Sequence, residues 1–192
     1  MSKRPKFTIV GRRPRFTAAQ IRRKVASLAR RIEKSYAGAD LVLVGILKGG
    51  FLFLGDLARE LAIPARIDFL RVRSYGNGEA PGKCIEVTKD VEIDVSGRDV
   101  LIVEDIVDTG NTMAFLRRHL EGKNARSVRS CALVDKRERR VTGADIEFPG
   151  FRLKRGFLVG YGMDYGEAYR QLPQIYTLPL SGGRKVLDGG RR

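Results

Sequence analysis

The segment from Val100 to Met113 limits the fold more than any other part of the chain, because its chemical character changes twice within a short distance. It begins with an apolar run that predicts a buried strand, and the neighbouring carboxylates Glu104 and Asp105 follow that run. A turn of small polar residues comes next, and Met113 begins an apolar spacing that is typical of a helix. Loop N–H groups at a helix N-terminus can bind a phosphate, and carboxylates can bind sugar hydroxyls or a hard cation such as Mg²⁺. The segment therefore predicts a sugar-phosphate site where a strand passes into a helix.

Strands and helices alternate along the rest of the chain. The apolar spacing of residues 17–36 predicts a helix with Thr17 as its N-cap, and Leu41–Leu47 is typical of a central parallel strand. Further elements are expected as a helix at Phe51–Leu61 and as strands at Ile67–Val72, 84–92, Val128–Val134 and Gly156–Gly160. The alternation predicts an α/β domain with a mostly parallel central sheet flanked by helices. Since ligands bind at the carboxyl ends of such strands, the loops at Lys48, Asp108 and Lys136 should share one crevice.

Composition narrows the class of protein. The chain has 192 residues, of which 43% are hydrophobic, as expected for one soluble domain. No apolar run is long enough to span a bilayer and no signal-peptide segment is present, so we expect a cytoplasmic protein without a membrane contact. Cys84 and Cys131 form no disulfide framework. The single histidine, His119, argues against a zinc site and against a Ser-His-Asp triad.

Positive charge is concentrated at the two ends of the chain. The net charge is +15, and eleven lysines or arginines precede Glu33 without any acidic residue. We divide the chain into a basic N-terminal arm at 1–16, a single domain at 17–180 and a basic C-terminal tail at 181–192. Glycines make the segment 74–90 a candidate mobile loop within the domain. The charge favours contacts with polyanions, and solubility alone is the alternative explanation.

The segment Glu104-Asp105-Ile106-Val107-Asp108-Thr109-Gly110 resembles the diphosphate-binding signature of the type I phosphoribosyltransferases. This version is similar to that of the 6-oxopurine branch, the hypoxanthine-guanine phosphoribosyltransferases, and the resemblance extends over roughly residues 15–180. It implies the type I phosphoribosyltransferase fold, with a small hood built from the N- and C-terminal segments. It also implies a purine salvage enzyme that transfers the 5-phosphoribosyl group from phosphoribosyl diphosphate (PRPP) to hypoxanthine or guanine. The products would be IMP or GMP and pyrophosphate, the cofactor Mg²⁺, and the assembly a homodimer or homotetramer.

The resemblance assigns roles to the signature residues. Asp108 would be the catalytic general acid/base at purine N7. The PRPP-binding set would be Glu104, Asp105, Asp108, Thr109, Gly110, Asn111 and Thr112. Glu104 and Asp105 would hold the ribose hydroxyls directly or through Mg²⁺, and Asp164 would help to hold a second Mg²⁺.

Other segments resemble further parts of the same active site. Lys48, Gly49 and Arg170 would bind pyrophosphate, and in the family the peptide after this lysine is often cis. Ser74 and Tyr75 would begin a flexible catalytic loop. Lys136, Phe157 and Leu158 would bind the purine, through the ammonium group, through stacking and through the backbone, respectively. An ammonium group donates to an exocyclic oxygen and not to an amino group, so Lys136 would select hypoxanthine or guanine over adenine.

The segment Pro149–Gly156 departs from the family pattern. Arg152, Lys154 and Arg155 lie where similar proteins usually carry acidic residues, directly before Phe157. Two alternatives therefore stay open at this point: a phosphoribosyltransferase-fold regulator that binds nucleic acid, and a transferase for another base such as xanthine or a pyrimidine. The basic arm could also contact an anionic nucleotide or a nucleic acid.

Overall fold

The computed structural model describes residues 13–75, 84–141 and 145–178. Its central sheet has six strands in the spatial order β3-β2-β1-β4-β5-β6. These strands are β1 (Leu41–Leu47), β2 (Ala65–Tyr75), β3 (Cys84–Lys89), β4 (Asp99–Val107), β5 (Ser127–Lys136) and β6 (Phe148–Leu153). All neighbouring pairs are parallel except β2 and β3, which form an antiparallel hairpin. The predicted α/β domain with a mostly parallel sheet is therefore confirmed.

Helices cover both faces of the sheet. They are α1 (Ala18–Ser35), α2 (Phe51–Glu60) and α3 (Asn111–Glu121). Successive side chains of a strand point to opposite faces: Leu41 and Leu43 pack with α1 and α2, whereas Val42 and Val44 pack with α3. Since both faces are buried, the central strands carry the continuous apolar sequences that predicted them.

Local chemistry fixes the start of α1. The Thr17 hydroxyl accepts a hydrogen bond from the Gln20 backbone N–H, and the Gln20 side chain accepts one from the Thr17 N–H. This reciprocal capping box satisfies two N–H groups that a helix otherwise leaves without partners. The predicted N-cap is confirmed.

A small second sheet lies beside the main one. It consists of β7 (Phe157–Val159) and β8 (Tyr176–Leu178), which pair antiparallel. Phe16 forms a bridge to Ile175, and its ring stacks on Phe151 with 3.9 Å between the ring centroids. Segments from both ends of the described chain thus form the hood that the fold class predicted. Phe16 belongs to the domain rather than to an arm.

Three expectations need correction. The segment Phe148–Leu153, which was not expected to be a strand, is β6, and Pro149 is tolerated there because β6 is an edge strand. The strand expected at Gly156–Gly160 is shorter and belongs to the second sheet. Residues 74–75 and 84–89 of the segment 74–90, expected to be a mobile loop, belong to the paired strands β2 and β3, and the strand expected at 84–92 is β3. Residues 76–83 of that segment, residues 1–12 of the arm predicted at 1–16 and the whole tail at 181–192 lie outside the described residues.

None of the helices within the described residues combines the length and the apolar character needed to cross a bilayer.

Candidate functional site

The carboxyl end of β4 and the start of α3 form the centre of the site. Gly110 precedes α3 with a positive φ of 85°, a conformation that a residue with a Cβ adopts only at a cost. The Thr109 hydroxyl accepts a hydrogen bond from the Asn111 N–H, which starts the helix. A cleft of about 190 Å³ opens here, lined by Glu104, Ile106, Val107, Asp108, Thr109, Gly110, Thr112 and Met113. The structure therefore places the predicted signature loop in a concave site at a helix N-terminus.

Glu104 and Asp105 form an acidic pair at the floor of the site. Burial raises the pKa of Glu104 well above its ordinary value, and the neighbouring negative charge of Asp105 raises it further. Burial also raises the pKa of Asp105, although hydrogen bonds from Glu104 and Ile106 and the positive charge of Arg170 oppose this effect. Two carboxyl groups that lose hydration and repel each other are stabilised by a cation or by hydroxyl donors. The pair is thus suited to the ligands that the sequence predicted for it.

The loop after β1 lies directly against this pair. A Cβ added at Gly49 would lie 2.7 Å from Asp105 Cγ, and a Cβ added at Gly162 would lie 3.2 Å from the Gly49 carbonyl carbon. The backbones of these three segments therefore pack closely together. Two of the contact positions, Gly49 and Gly162, have room only for glycine. The peptide bond between Leu47 and Lys48 is cis. The expectation of a cis bond after Lys48 is wrong by one position, since the cis bond precedes the lysine.

The predicted pyrophosphate cations meet around Glu167. Lys48 Nζ lies 2.7 Å from Glu167 Oε2, and Arg170 Nη2 lies 3.5 Å from Glu167 Oε1. Arg170 is held independently, because it donates to the Gly162 carbonyl at 2.7 Å and pairs with Asp164 at 2.8 Å. The ammonium group of Lys48 lowers the pKa of Glu167. Lys48 and Arg170 are thus brought together, and a carboxylate lies between them.

Asp108 pairs with Lys136 across neighbouring strands. Lys136, the last residue of β5, places Nζ 3.2 Å from Asp108 Oδ2, and its side chain is 11% exposed. Asp108 Oδ1 is buried and has no hydrogen-bond partner among the described residues. The guanidinium of Arg140 donates to the Asp108 backbone carbonyl at 3.3 Å. The proposed catalytic carboxylate and the proposed purine-binding lysine therefore share one site.

A buried carboxylate anchors the loop after Lys136. Asp135 is fully buried and pairs with Arg137 at 3.0 Å and with Arg140. Arg152 Nε, one of the three basic residues in the departing segment, lies 3.9 Å from the same carboxylate. Arg152 therefore adds positive charge beside Asp135, whereas Lys154 and Arg155 have no ion pair with an acid in the described residues.

The segment predicted to bind the purine begins β7. Gly156, with a φ of 126°, turns the chain into β7, and the Phe157 ring packs edge-on against Tyr165 with 5.9 Å between centroids. Leu158 is buried and pairs with Thr177 of β8. Ser74, at the end of β2, pairs in register with Ile85 on β3.

The predicted metal ligands do not form one cluster. Among the described residues, no three histidine, cysteine or carboxylate side chains converge as a preformed cage. Asp164 lies with Arg170 instead of with the acidic pair. Mg²⁺ commonly takes one or two protein carboxylates and completes its shell with water and substrate phosphates. Glu104 and Asp105 fit that kind of site, because burial raises the pKa of both carboxyl groups and a bound cation would favour their ionised forms.

Sequence reasoning missed Glu167 and gave Asp135 no role. Glu167 contacts Lys48 across 119 positions of sequence, so no local pattern could reveal it. Asp135 is the second-to-last residue of β5 and lies in its buried part, and a carboxylate at such a position is a signal that it needs charged partners.

Fold and site together define a class: a parallel α/β protein with an acidic strand end and a helix N-terminus that suit a phosphorylated sugar. The sequence profile of the phosphoribosyl transferase domain matches residues 16–166. Hypoxanthine phosphoribosyltransferase of Salmonella typhimurium is 42% identical over 164 residues, covering 84% of this chain and 92% of that protein. Hypoxanthine-guanine phosphoribosyltransferase of Mycobacterium avium is also 42% identical, over 84% of this chain and 83% of its own length.

Solved structures agree. The crystal structure of a hypoxanthine phosphoribosyltransferase from Staphylococcus aureus has a TM-score of 0.84 at 35% identity, covering 88% of this chain and 91% of that one. The chain belongs to the phosphoribosyltransferase family, and it is a transferase of the purine salvage type.

Proposed function

We propose that the protein transfers the 5-phosphoribosyl group of PRPP to hypoxanthine or guanine, forming IMP or GMP and releasing pyrophosphate. The convergence of Asp108 and Lys136, 3.2 Å apart at neighbouring strand ends, is the observation that carries this proposal. The names of the relatives support the same substrates, whereas the regulator and xanthine alternatives find no support among them. Assembly as a homodimer or homotetramer and a cytoplasmic location stay predictions.

The phosphoribosyl group would bind along the signature loop. The N-terminus of α3 presents N–H groups and a partial positive charge to the 5-phosphate. The hydroxyls of Thr109 and Thr112 line the same cleft and can donate to phosphate oxygens. Glu104 and Asp105 would hold the ribose hydroxyls, so that the sugar is fixed at both ends before C1 reacts.

The leaving group would lie against the loop after β1. Lys48 and Arg170 supply the positive charge, and the Gly49 backbone lies directly against Asp105. Glu104 and Asp105 would also hold Mg²⁺, with Asp164 beside Arg170 for a second ion. When bound, Mg²⁺ neutralises the negative charge of the diphosphate and makes it a better leaving group.

The base would lie between Lys136 and Phe157. The Lys136 ammonium group donates to the exocyclic O6, and adenine, which offers an amino group there, would leave it unpaired at a cost of about 1–3 kcal/mol. The unpartnered Asp108 Oδ1 is available to accept the proton of purine N7 while N9 attacks C1.

The test is turnover of hypoxanthine, guanine, xanthine and adenine with PRPP and Mg²⁺, on the wild type and on Asp108→Asn. We expect conversion of hypoxanthine or guanine, and a kcat loss of about 10²–10⁴-fold in the variant because its amide cannot accept the proton. Asp94→Asn is a matched control, since Asp94 precedes β4 at the opposite end of that strand. No turnover of any base by the wild type would refute the activity, and a fully active Asp108→Asn would refute the role of Asp108.

A further inference from the structure

The outer face of α1 carries positive charge that the transferase site does not use. We define the α1 basic face as the six cations Arg22, Arg23, Lys24, Arg30, Arg31 and Lys34. Arg23, Arg30 and Lys34 are exposed and recur at spacings of seven and four residues, which places them along one stripe of the helix. At 1.5 Å of rise per residue, their Cα atoms are separated by about 10.5 Å and about 6 Å along the helix axis.

These cations lack acidic partners. None of the six forms an ion pair with a carboxylate in residues 13–75, 84–141 and 145–178. The only acid of α1, Glu33, turns its carboxylate to the Ala62 N–H. Two cations elsewhere on the surface, Arg66 and Arg98, are neutralised by the same carboxylate, Asp40.

The positive surface continues from α1 onto the edge of the sheet. Lys24 Nζ lies 5.1 Å from the ring centroid of Phe151, and the Arg31 guanidinium lies 5.6 Å from that of Phe148, so α1 runs antiparallel to β6. Lys154 and Arg155, two of the basic residues that depart from the family pattern, directly follow the end of β6 in the chain.

The chemistry of this surface limits the partner. The apolar residues of α1, such as Ile21 and Leu28, are buried in the core, so the helix cannot insert into a membrane. The nearby aromatic rings of Phe148 and Phe151 already have cations over them and are not free to stack on unpaired bases, which single-strand binding requires.

A guanidinium group binds phosphate through two parallel hydrogen bonds. Because α1 lies flat on the domain, it presents its cations to a surface and cannot enter a deep groove. Double-stranded RNA is recognised in this way, through its phosphates and 2′-hydroxyls across a wide, shallow minor groove.

We propose that the α1 basic face binds double-stranded RNA through its phosphate backbone, as a second binding surface separate from the transferase site. The proposal does not depend on the identity of the purine substrate. It adds an interaction to the enzyme and does not replace catalysis.

The test is fluorescence anisotropy with a labelled RNA duplex of about 20 base pairs, titrated with the full chain between about 50 and 200 mM salt. The test variant is Arg23→Gln/Arg30→Gln/Lys34→Gln. The control is Arg59→Gln/Arg71→Gln/Arg118→Gln, three exposed cations outside α1. Both variants lower the net charge of +15 by three, so a loss of affinity confined to the test variant reports where on the surface the charge is needed. Thermal unfolding of both variants checks that they remain folded.

We expect the test variant to bind the duplex about tenfold or more weakly near 100 mM salt, and to reduce the salt slope by about 2–3, since each lost phosphate contact removes about 0.9. The control should change the affinity less than about threefold. Equal losses in both variants would overturn the proposal, because net charge alone would explain the binding. Unchanged binding of the RNA duplex by the test variant would also overturn it. So would equally tight binding of a DNA duplex or a single strand by the wild type, or binding of anionic vesicles or acidic peptides without binding of the RNA duplex.

Discussion

Replacing Gly49 by alanine tests whether the peptide after Lys48 must lie against the acidic pair. A Cβ at this position would lie 2.7 Å from Asp105 Cγ, whereas carbon atoms ordinarily approach to about 3.5 Å. The Asp105 side chain or the loop would therefore have to move by about 0.8 Å. Asp105 cannot move freely, because its Oδ1 accepts the Ile106 N–H at 2.8 Å.

Such a displacement has two expected effects. Overpacking of a well-packed region costs about 1–3 kcal/mol of the free energy of unfolding. A misplacement of about 1 Å near the reacting groups can lower the rate up to about 100-fold. We expect kcat/KM for PRPP to fall about 10- to 100-fold in Gly49→Ala, equivalent to about 1.4–2.7 kcal/mol.

Gly55→Ala is the matched control. Gly55 lies in the middle of α2, and a Cβ there meets nothing within 4 Å. Alanine should stabilise this helix by about 0.5–1 kcal/mol and leave the kinetics unchanged. Urea denaturation and steady-state kinetics of both variants give the comparison. Wild-type stability and kcat/KM in Gly49→Ala would refute the reasoning, since the clash with Asp105 would then not exist in solution.

Two further substitutions test charged contacts. Glu167→Gln removes the carboxylate that lies between Lys48 and Arg170, so KM for PRPP should fall roughly two- to five-fold, as for the loss of an exposed ion pair. The control Glu121→Gln should leave this KM unchanged. A raised KM in Glu167→Gln would show that Glu167 positions the lysine instead. The hydrogen bonds from Arg126 lower the pKa of Asp99, so the folded protein releases this proton more readily than the unfolded chain and stability should be lost as pH falls below about 4. Urea denaturation should show Asp99→Asn less stable than wild type by about 1–3 kcal/mol at neutral pH and nearly equal to it well below pH 4, and a pH-independent difference would contradict this.

The parts of the fold that the sequence predicted are those with a local physical signal. β1 and β4 are buried on both faces, so their apolar runs identify them without any knowledge of neighbours. Thr17 and Gln20 determine the start of α1 through contacts three residues apart. The β4–α3 loop was predictable for the same reason, because strand, carboxylates and helix start follow one another in the chain.

The missed features depend on contacts made only after folding. β6 contains Pro149 and Gly150, which normally mark a turn, and it is a strand because β5 supplies its hydrogen-bonding partner on the one side where pairing is needed. Glu167 has a role only because the hood brings it to Lys48. No periodicity or motif encodes such a pairing in advance.

The acidic half of the site and its basic half differ in whether their charges already have partners of opposite charge. Glu104 and Asp105, on β4, have raised pKa values because burial disfavours their ionised forms, and the negative charge of Asp105 raises the pKa of Glu104 further. Lys48 and Arg170, in contrast, already contact carboxylates of the segment that follows β7. A cation alone would stabilise the acidic half, and an anion alone would have to displace the carboxylates from the basic half. A diphosphate that arrives with a divalent cation would satisfy both halves at once, because the two halves meet where the Gly49 backbone lies against Asp105.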